Sequence, residues 1–164
     1  MIKVLLILNH VQAGLASNEN SDLQPTGKAE ILGPGKMMKP FLDRMNGAII
    51  ATLYCGDIYY KNNKEVAEKK FLSMIKKLNP DVVVCGPAFH YENFGRMACG
   101  IATEVKTQLN INSLAVLSHE SKILKDYDGK VNIFKSPKKD EFIMSKFIKE
   151  VCEKAIELGK EKNN

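Results

Sequence analysis

Four short stretches place side chains able to bind or react directly behind runs of apolar residues. Asn9-His10 follows the run 2–8, Cys55-Gly56-Asp57 follows 48–54, Gly86-Pro87-Ala88-Phe89-His90 follows 82–85, and Ser118-His119-Glu120 follows 114–117. All 3 histidines of the chain fall in this set. His90 and His119 can exchange protons near neutral pH, which suits general acid–base work. The thiol of Cys55 is a nucleophile only as thiolate, a form that Asp57 beside it disfavours, so small buried filler stays open as its other reading. Polar residues also gather wherever strands end, and loop chemistry alone is the plain alternative to a shared site.

Arg96 lies at the start of a helical pattern, where a guanidinium can grip a carboxylate with two hydrogen bonds; a surface arginine on an amphipathic helix fits equally well. Gly33-Pro34-Gly35 precedes another helical pattern, and its amides can receive an anion or simply form the turn that starts the helix. The motif is neither G-x-G-x-x-G nor G-x-x-x-x-G-K-[ST], and no cofactor is expected. Cys85, Cys99 and Cys152 sit among apolar residues and read as packing. No pair has C-x-x-C spacing, so a dithiol centre within the chain is not supported, and no third ligand joins the histidines at metal-site spacing.

The elements that must position these groups follow from periodicity. Apolar runs at 2–8, 48–54, 82–85, 114–117 and, more weakly, 131–134 read as five strands, and their continuity implies cover on both faces. Helical patterns lie between them. One starts at Asn62 with Glu65 as a capping box, buries Phe71, Met74, Ile75 and Leu78, and stops at Asn79-Pro80. Another starts near Asn93 with Met97, Ile101, Ala102, Val105 and Leu109 on one side. The last opens at Ser136-Pro137 and buries Met144, Phe147, Ile148, Val151, Ala155 and Leu158. A shorter helix spans 34–45. The expected fold is α/β: a three-layer α/β/α sandwich of flavodoxin or Rossmann type with a mainly parallel sheet of about five strands, forming one domain over residues 1–164. The stretch 9–35 has little periodicity and leaves the carboxyl end of the first strand, the edge at which open parallel sheets bind ligands. Residues 13–26 are expected to roof that edge, and the polar tail 160–164 to fray.

Composition narrows the function classes. The chain has 164 residues, 45% hydrophobic and 26% charged, enough to bury a core without disulfides or a structural metal. Its 4 cysteines at irregular spacing suit free thiols in a reducing cytoplasm. The net charge of +5 resides largely in lysine pairs such as Lys69-Lys70, Lys76-Lys77 and Lys138-Lys139, which read as solvated helix faces. With no tryptophan and no arginine cluster, nucleic acid is not an expected partner. The apolar start is too short for a signal peptide or a membrane span.

Several of these motifs occur together elsewhere. Gly33-Pro34-Gly35, the stretch from Ala51 through Cys55-Gly56-Asp57 to Tyr60, Asn79-Pro80-Asp81, and Gly86-Pro87-Ala88-Phe89 followed by Tyr91-Glu92-Asn93-Phe94-Gly95-Arg96-Met97-Ala98-Cys99-Gly100 resemble the N-terminal part of the selenoprotein B family in order and spacing. That family includes component B of glycine, sarcosine and betaine reductases and a D-proline reductase subunit. The resemblance spans about residues 2–120. It implies an anaerobic, cytoplasmic setting, reductive C–N cleavage of a small amino acid or betaine by a selenocysteine, partner subunits of a reductase complex, and an oligomer. The chain departs from the pattern in three ways: it has no selenocysteine, His90 stands where the reductases are expected to carry Asn, and the stretch 118–121 lacks a proline-containing loop. It therefore resembles a stand-alone N-terminal domain or one piece of a split enzyme.

Candidate catalytic residues are Cys55, Asp57, His90 and His119; candidate substrate-binding residues are His10, Gly33, Gly35, Gly86, Arg96 and Cys99. The leading reading is a reductase component that supplies the substrate pocket. Two others stay open: a small-ligand-binding or regulatory domain without redox activity, and an independent non-redox enzyme using His90 or His119 as acid–base groups.

Overall fold

The computed structural model describes residues 1–15 and 19–161. The apolar run at the start becomes β1 (Ile2–Asn9), whose Val4 to Leu8 are all fully buried. Side chains alternate across a strand, so Val4, Leu6 and Leu8 enter one core while Leu5 and Ile7 enter another on the opposite face. Burial on both faces explains why the run is continuous.

Along the chain follow β2 (Thr26–Lys28), α1 (Gly35–Arg44), β3 (Gly47–Cys55), α2 (Asp57–Asn62), α3 (Lys64–Leu78), β4 (Val82–Cys85), α4 (Glu92–Leu109), β5 (Asn112–Ser118), α5 (Leu124–Tyr127), β6 (Ile133–Ser136) and α6 (Met144–Lys160). The sheet order is β2-β3-β1-β4-β5-β6. All neighbours are parallel except β2, which pairs antiparallel with β3. Helices α1 and α6 cover one face through Met38, Leu42, Phe147, Val151 and Ala155. Helices α3 and α4 cover the other through Phe71, Ile75, Met97, Ile101 and Val105. The result is the expected α/β sandwich, and strand order reverses between β1 and β4.

Four local expectations are corrected. Strand β2 sits inside the stretch read as loop; its centre is Gly27 and it carries no apolar residue, so periodicity had nothing to register. Asn62 does not open a capping box but ends α2, and Asn63, between the helices, donates its side-chain N–H to the Tyr59 carbonyl at 3.2 Å. Ser136 does not cap a helix. It is buried as the last residue of β6, paired with Ser118, and a 3₁₀ turn at Lys139–Glu141 intervenes before α6 starts at Met144. Met144 and Leu78, expected in buried stripes, are exposed at the ends of their helices. The weak fifth run is confirmed as the edge strand, shifted by two residues. Residues 162–164 of the expected fraying tail lie outside the described residues.

Candidate functional site

The carboxyl edge of the sheet is organised around Asn9, the last residue of β1. Its Oδ1 accepts the Gln12 N–H at 2.9 Å and its Nδ2 donates to Asp57 Oδ2 at 3.1 Å, which ties β1 to the start of α2. Gln12 Nε2 reaches the Pro87 carbonyl at 3.4 Å. Gly33, at φ +52°, lies so close to the Gln12 carbonyl that any side chain there would collide with it. Asn9 stood in a strand-end stretch but not among the named site residues, and Gln12 in neither, because nothing in sequence spacing links them to Asp57 or Pro87.

The turn after β4 is held from both sides. Gly86, at φ +114°, donates to the Ile7 carbonyl at 3.0 Å, and Ala88 donates to Val116 at 2.8 Å. The Gly86-Pro87 peptide is cis. Phe89 adopts φ +51°, a conformation disfavoured for a bulky residue, while its carbonyl accepts the Ser118 N–H at 2.9 Å. That reversal sends His90 and Tyr91 outward, stacked with ring centroids 4.7 Å apart.

The thiols are held away from reaction. Cys55 has no solvent exposure and its thiol is pushed up to about 12, first by burial and then by Asp57; its sulfur lies 3.7 Å from that of Met97. Burial likewise raises Cys99 to about 12, with Arg96 opposing, and raises Cys85 further. Above Cys55, the Leu23 carbonyl accepts the Gly56 N–H at 2.8 Å, and the Ser21 carbonyl accepts those of Ile58 and Tyr59 at 3.1 and 3.0 Å. This segment closes the carboxyl end of β3. The rest of the expected roof, residues 16–18, lies outside the described residues.

Two of the clefts among the described residues at this edge contain candidate residues. The larger, about 450 Å³, lies beyond β4, β5 and β6 and is lined by Phe89, His90, Tyr91, Ser118, Glu120, Ser136, Pro137, Lys139 and Phe142. Phe89 and Phe142 both pack on Phe147, with centroids 6.1 and 5.4 Å away. Among the described residues, neither the Glu120 carboxylate nor the Lys139 ammonium has an ion-pair or hydrogen-bond partner, so the cleft presents two uncompensated opposite charges. The smaller, about 300 Å³, lies between α2, α3, α4 and α5 and contains Arg96. There the guanidinium is 3.3 Å from both Glu92 and Asp126, so its nearest partners are carboxylates of this chain.

The candidate residues thus share an edge but not one cleft. His90 lines the larger, Arg96 the smaller; His10, Cys55 and Cys99 are buried, Asp57 bonds Asn9, and His119 is exposed beside Glu120. The amides of Gly35, Lys36 and Met37 are already bonded to the carbonyls of Leu32, Gly33 and Pro34 at 3.0–3.1 Å, which makes Gly33-Pro34-Gly35 a turn closed on itself. Tyr91, Lys139 and Phe142 line the larger cleft without standing among the candidate site residues: Tyr91 directly follows a strand-end stretch and belongs to the family motif, whereas Lys139 and Phe142 lie where the sequence predicts a helix. Among the described residues, no group of three or more His, Cys, Asp or Glu is placed to hold a metal ion.

A doubly wound α/β sheet with polar loops and clefts at its carboxyl edge places the chain in the open parallel-sheet class. Across residues 1–163 the chain matches the family model described as Glycine/sarcosine/betaine reductase selenoprotein B, and it belongs to that family. The match extends beyond the 2–120 expected from motifs. Relatives include the sarcosine reductase complex component B subunit beta of Peptoclostridium acidaminophilum, 37% identical over 69% of this chain and 26% of that protein. The glycine reductase complex component B subunit gamma of Symbiobacterium thermophilum is 36% identical over 63% and 24%, and that of Carboxydothermus hydrogenoformans 32% over 80% and 30%. The matched part is therefore only 24–30% of the length of these relatives. No solved structure gives a significant match. No helix among the described residues is long and apolar enough to cross a membrane.

Proposed function

We propose that this chain is the substrate-binding component of an amino-acid reductase of the glycine and sarcosine type, and that the larger cleft holds the substrate as a zwitterion. The observation that carries this reading is the pair of uncompensated charges on one cleft, Glu120 and Lys139, in a chain of this family. A small amino acid placed between them meets the Glu120 carboxylate with its ammonium group and Lys139 with its carboxylate. The bound ammonium is already fully protonated and leaves as the neutral amine with the C–N electron pair, and His90 at the same cleft is the group this reading assigns to hydrogen-bond the substrate there. The nucleophile that attacks the α-carbon and displaces the amine comes from a partner or another segment, because the thiols of Cys55, Cys85, Cys99 and Cys152 are buried and protonated. Partner subunits of a reductase complex follow from the same reading.

Calorimetric titration with glycine and sarcosine tests it. Exposed charge pairs are worth up to roughly 1 kcal/mol, so Glu120→Gln and Lys139→Met should each weaken binding about threefold to fivefold. With dithiothreitol as reductant, the chain alone should give no turnover. Binding indifferent to both substitutions but lost in Arg96→Ala would move the carboxylate site to the smaller cleft, and turnover would show that the chain carries its own nucleophile.

A further inference from the structure

Strand β6 ends the sheet, and its outer side is bare. It pairs only with β5, in parallel register, and the Asn132 carbonyl accepts the Ala115 N–H at 2.9 Å, so the alternate residues Asn132 and Phe134 turn their backbone groups to β5. Ile133 and Lys135 turn theirs outward, and among the described residues those N–H and C=O groups have no hydrogen-bond partner. A groove runs along each face of this edge. On the α5 side, about 430 Å³ is lined by Leu124, Lys125, Asp128, Ile133 and Lys135, which sets two ammonium groups against one carboxylate. Neither lysine has an ion pair among the described residues. On the α6 side, about 220 Å³ is lined by Pro137, Ile143 and Phe147, with Lys135 and Lys146 balanced by Glu141 and Glu150. Ile143 is 60% exposed there. A strand added to this edge would send successive side chains into the two grooves in turn.

Independently of what the larger cleft binds, we infer that the β6 edge is an interaction surface that takes an extended segment of another protein chain as a further strand. Acidic side chains of that segment alternate with apolar ones, the acidic set meeting Lys125 and Lys135 and the apolar set Pro137 and Ile143. A second copy of this chain fits worse, because antiparallel self-pairing along β6 sets both Lys135 side chains on one face in neighbouring pairs.

Capped hexapeptides of alternating glutamate and valine, and of alternating lysine and valine, test this against the isotope-labelled chain by NMR. The glutamate peptide should bind roughly tenfold tighter than the lysine peptide, and Lys135→Glu, at an exposed position, should reverse the order. On binding, exchange of the Ile133 and Lys135 amides should slow while that of Phe134, already turned to β5, stays unchanged. N-methylation of the glutamates or of the valines should abolish binding in only one of the two cases, since alternate amides of a strand face its neighbour. Binding that survives both methylations, equal affinity for the two peptides, or no binding at millimolar concentration would overturn the inference. A chain that sediments as a dimer and becomes monomeric on Lys135→Pro, which removes the outward N–H and spares the β5 ladder, would also overturn it by giving the edge to a second copy.

Discussion

Raising the pH from 7.5 to 9.5 should destabilise this chain through its four thiols. Cys55, Cys99 and Cys152 are held protonated by burial up to about 12, and burial shifts Cys85 in the same direction. An unfolded cysteine releases its proton near roughly 8.5, so between there and about 12 the folded chain keeps protons that the unfolded chain has lost. The stabilisation is complete below about 8.5 and drains away as pH rises above it. Over this interval each thiol loses about 1.4 kcal/mol, and the four together about 5 kcal/mol, against a total stability on the order of 5–15 kcal/mol. Urea unfolding under reducing conditions at the two pH values measures the loss, and Cys55→Ala should remove roughly a quarter of it. The same physics lowers the native thiolate fraction by about a thousandfold, so Ellman's reagent at pH 7.5 should register thiols only as fast as the chain opens. A rapidly titrating thiol in the native chain, or an unfolding midpoint that ignores the pH change, would refute the burial argument and reopen Cys55 as a nucleophile.

Three further outcomes follow from close contacts and exposed charges. A side chain at Gly100 would collide with the Tyr60 hydroxyl; Gly100→Ala should therefore destabilise by about 1–3 kcal/mol, with Tyr60→Phe in the same chain recovering much of the loss in urea midpoints. Gly56→Ala would meet the Ser21 carbonyl that accepts two α2 amides, so a similar loss should appear together with faster modification of Cys55. Arg96→Ala breaks two ion pairs of a side chain that is 44% exposed and should change stability by less than about 1 kcal/mol, while leaving glycine titrations as they were.

The layered fold was legible because its strands are buried on both faces. Continuous apolar runs at Val4 to Leu8 and Val82 to Cys85 have no other economical reading in an α/β chain, and the motifs around Cys55-Gly56-Asp57 and Gly95-Arg96 pointed to the family without coordinates. That the polar stretches share one edge of the sheet was legible too, since polar residues follow each parallel strand. What sequence could not express was distance. Asn9 meets Asp57 across 48 positions, and Arg96 meets Asp126 across 30, which turns an expected carboxylate grip into an internal ion pair. Cys55 stands directly behind a strand, where a thiol can be exposed for chemistry, but tertiary burial, with Asp57 beside it, holds its proton. Lys139 and Phe142 reach the larger cleft because Ser136 stays in the sheet and delays the last helix to Met144. That outcome depends on the long-range pairing of Ser136 with Ser118 and on Phe142 packing against Phe147, neither of which local capping signals at Ser136-Pro137 can report.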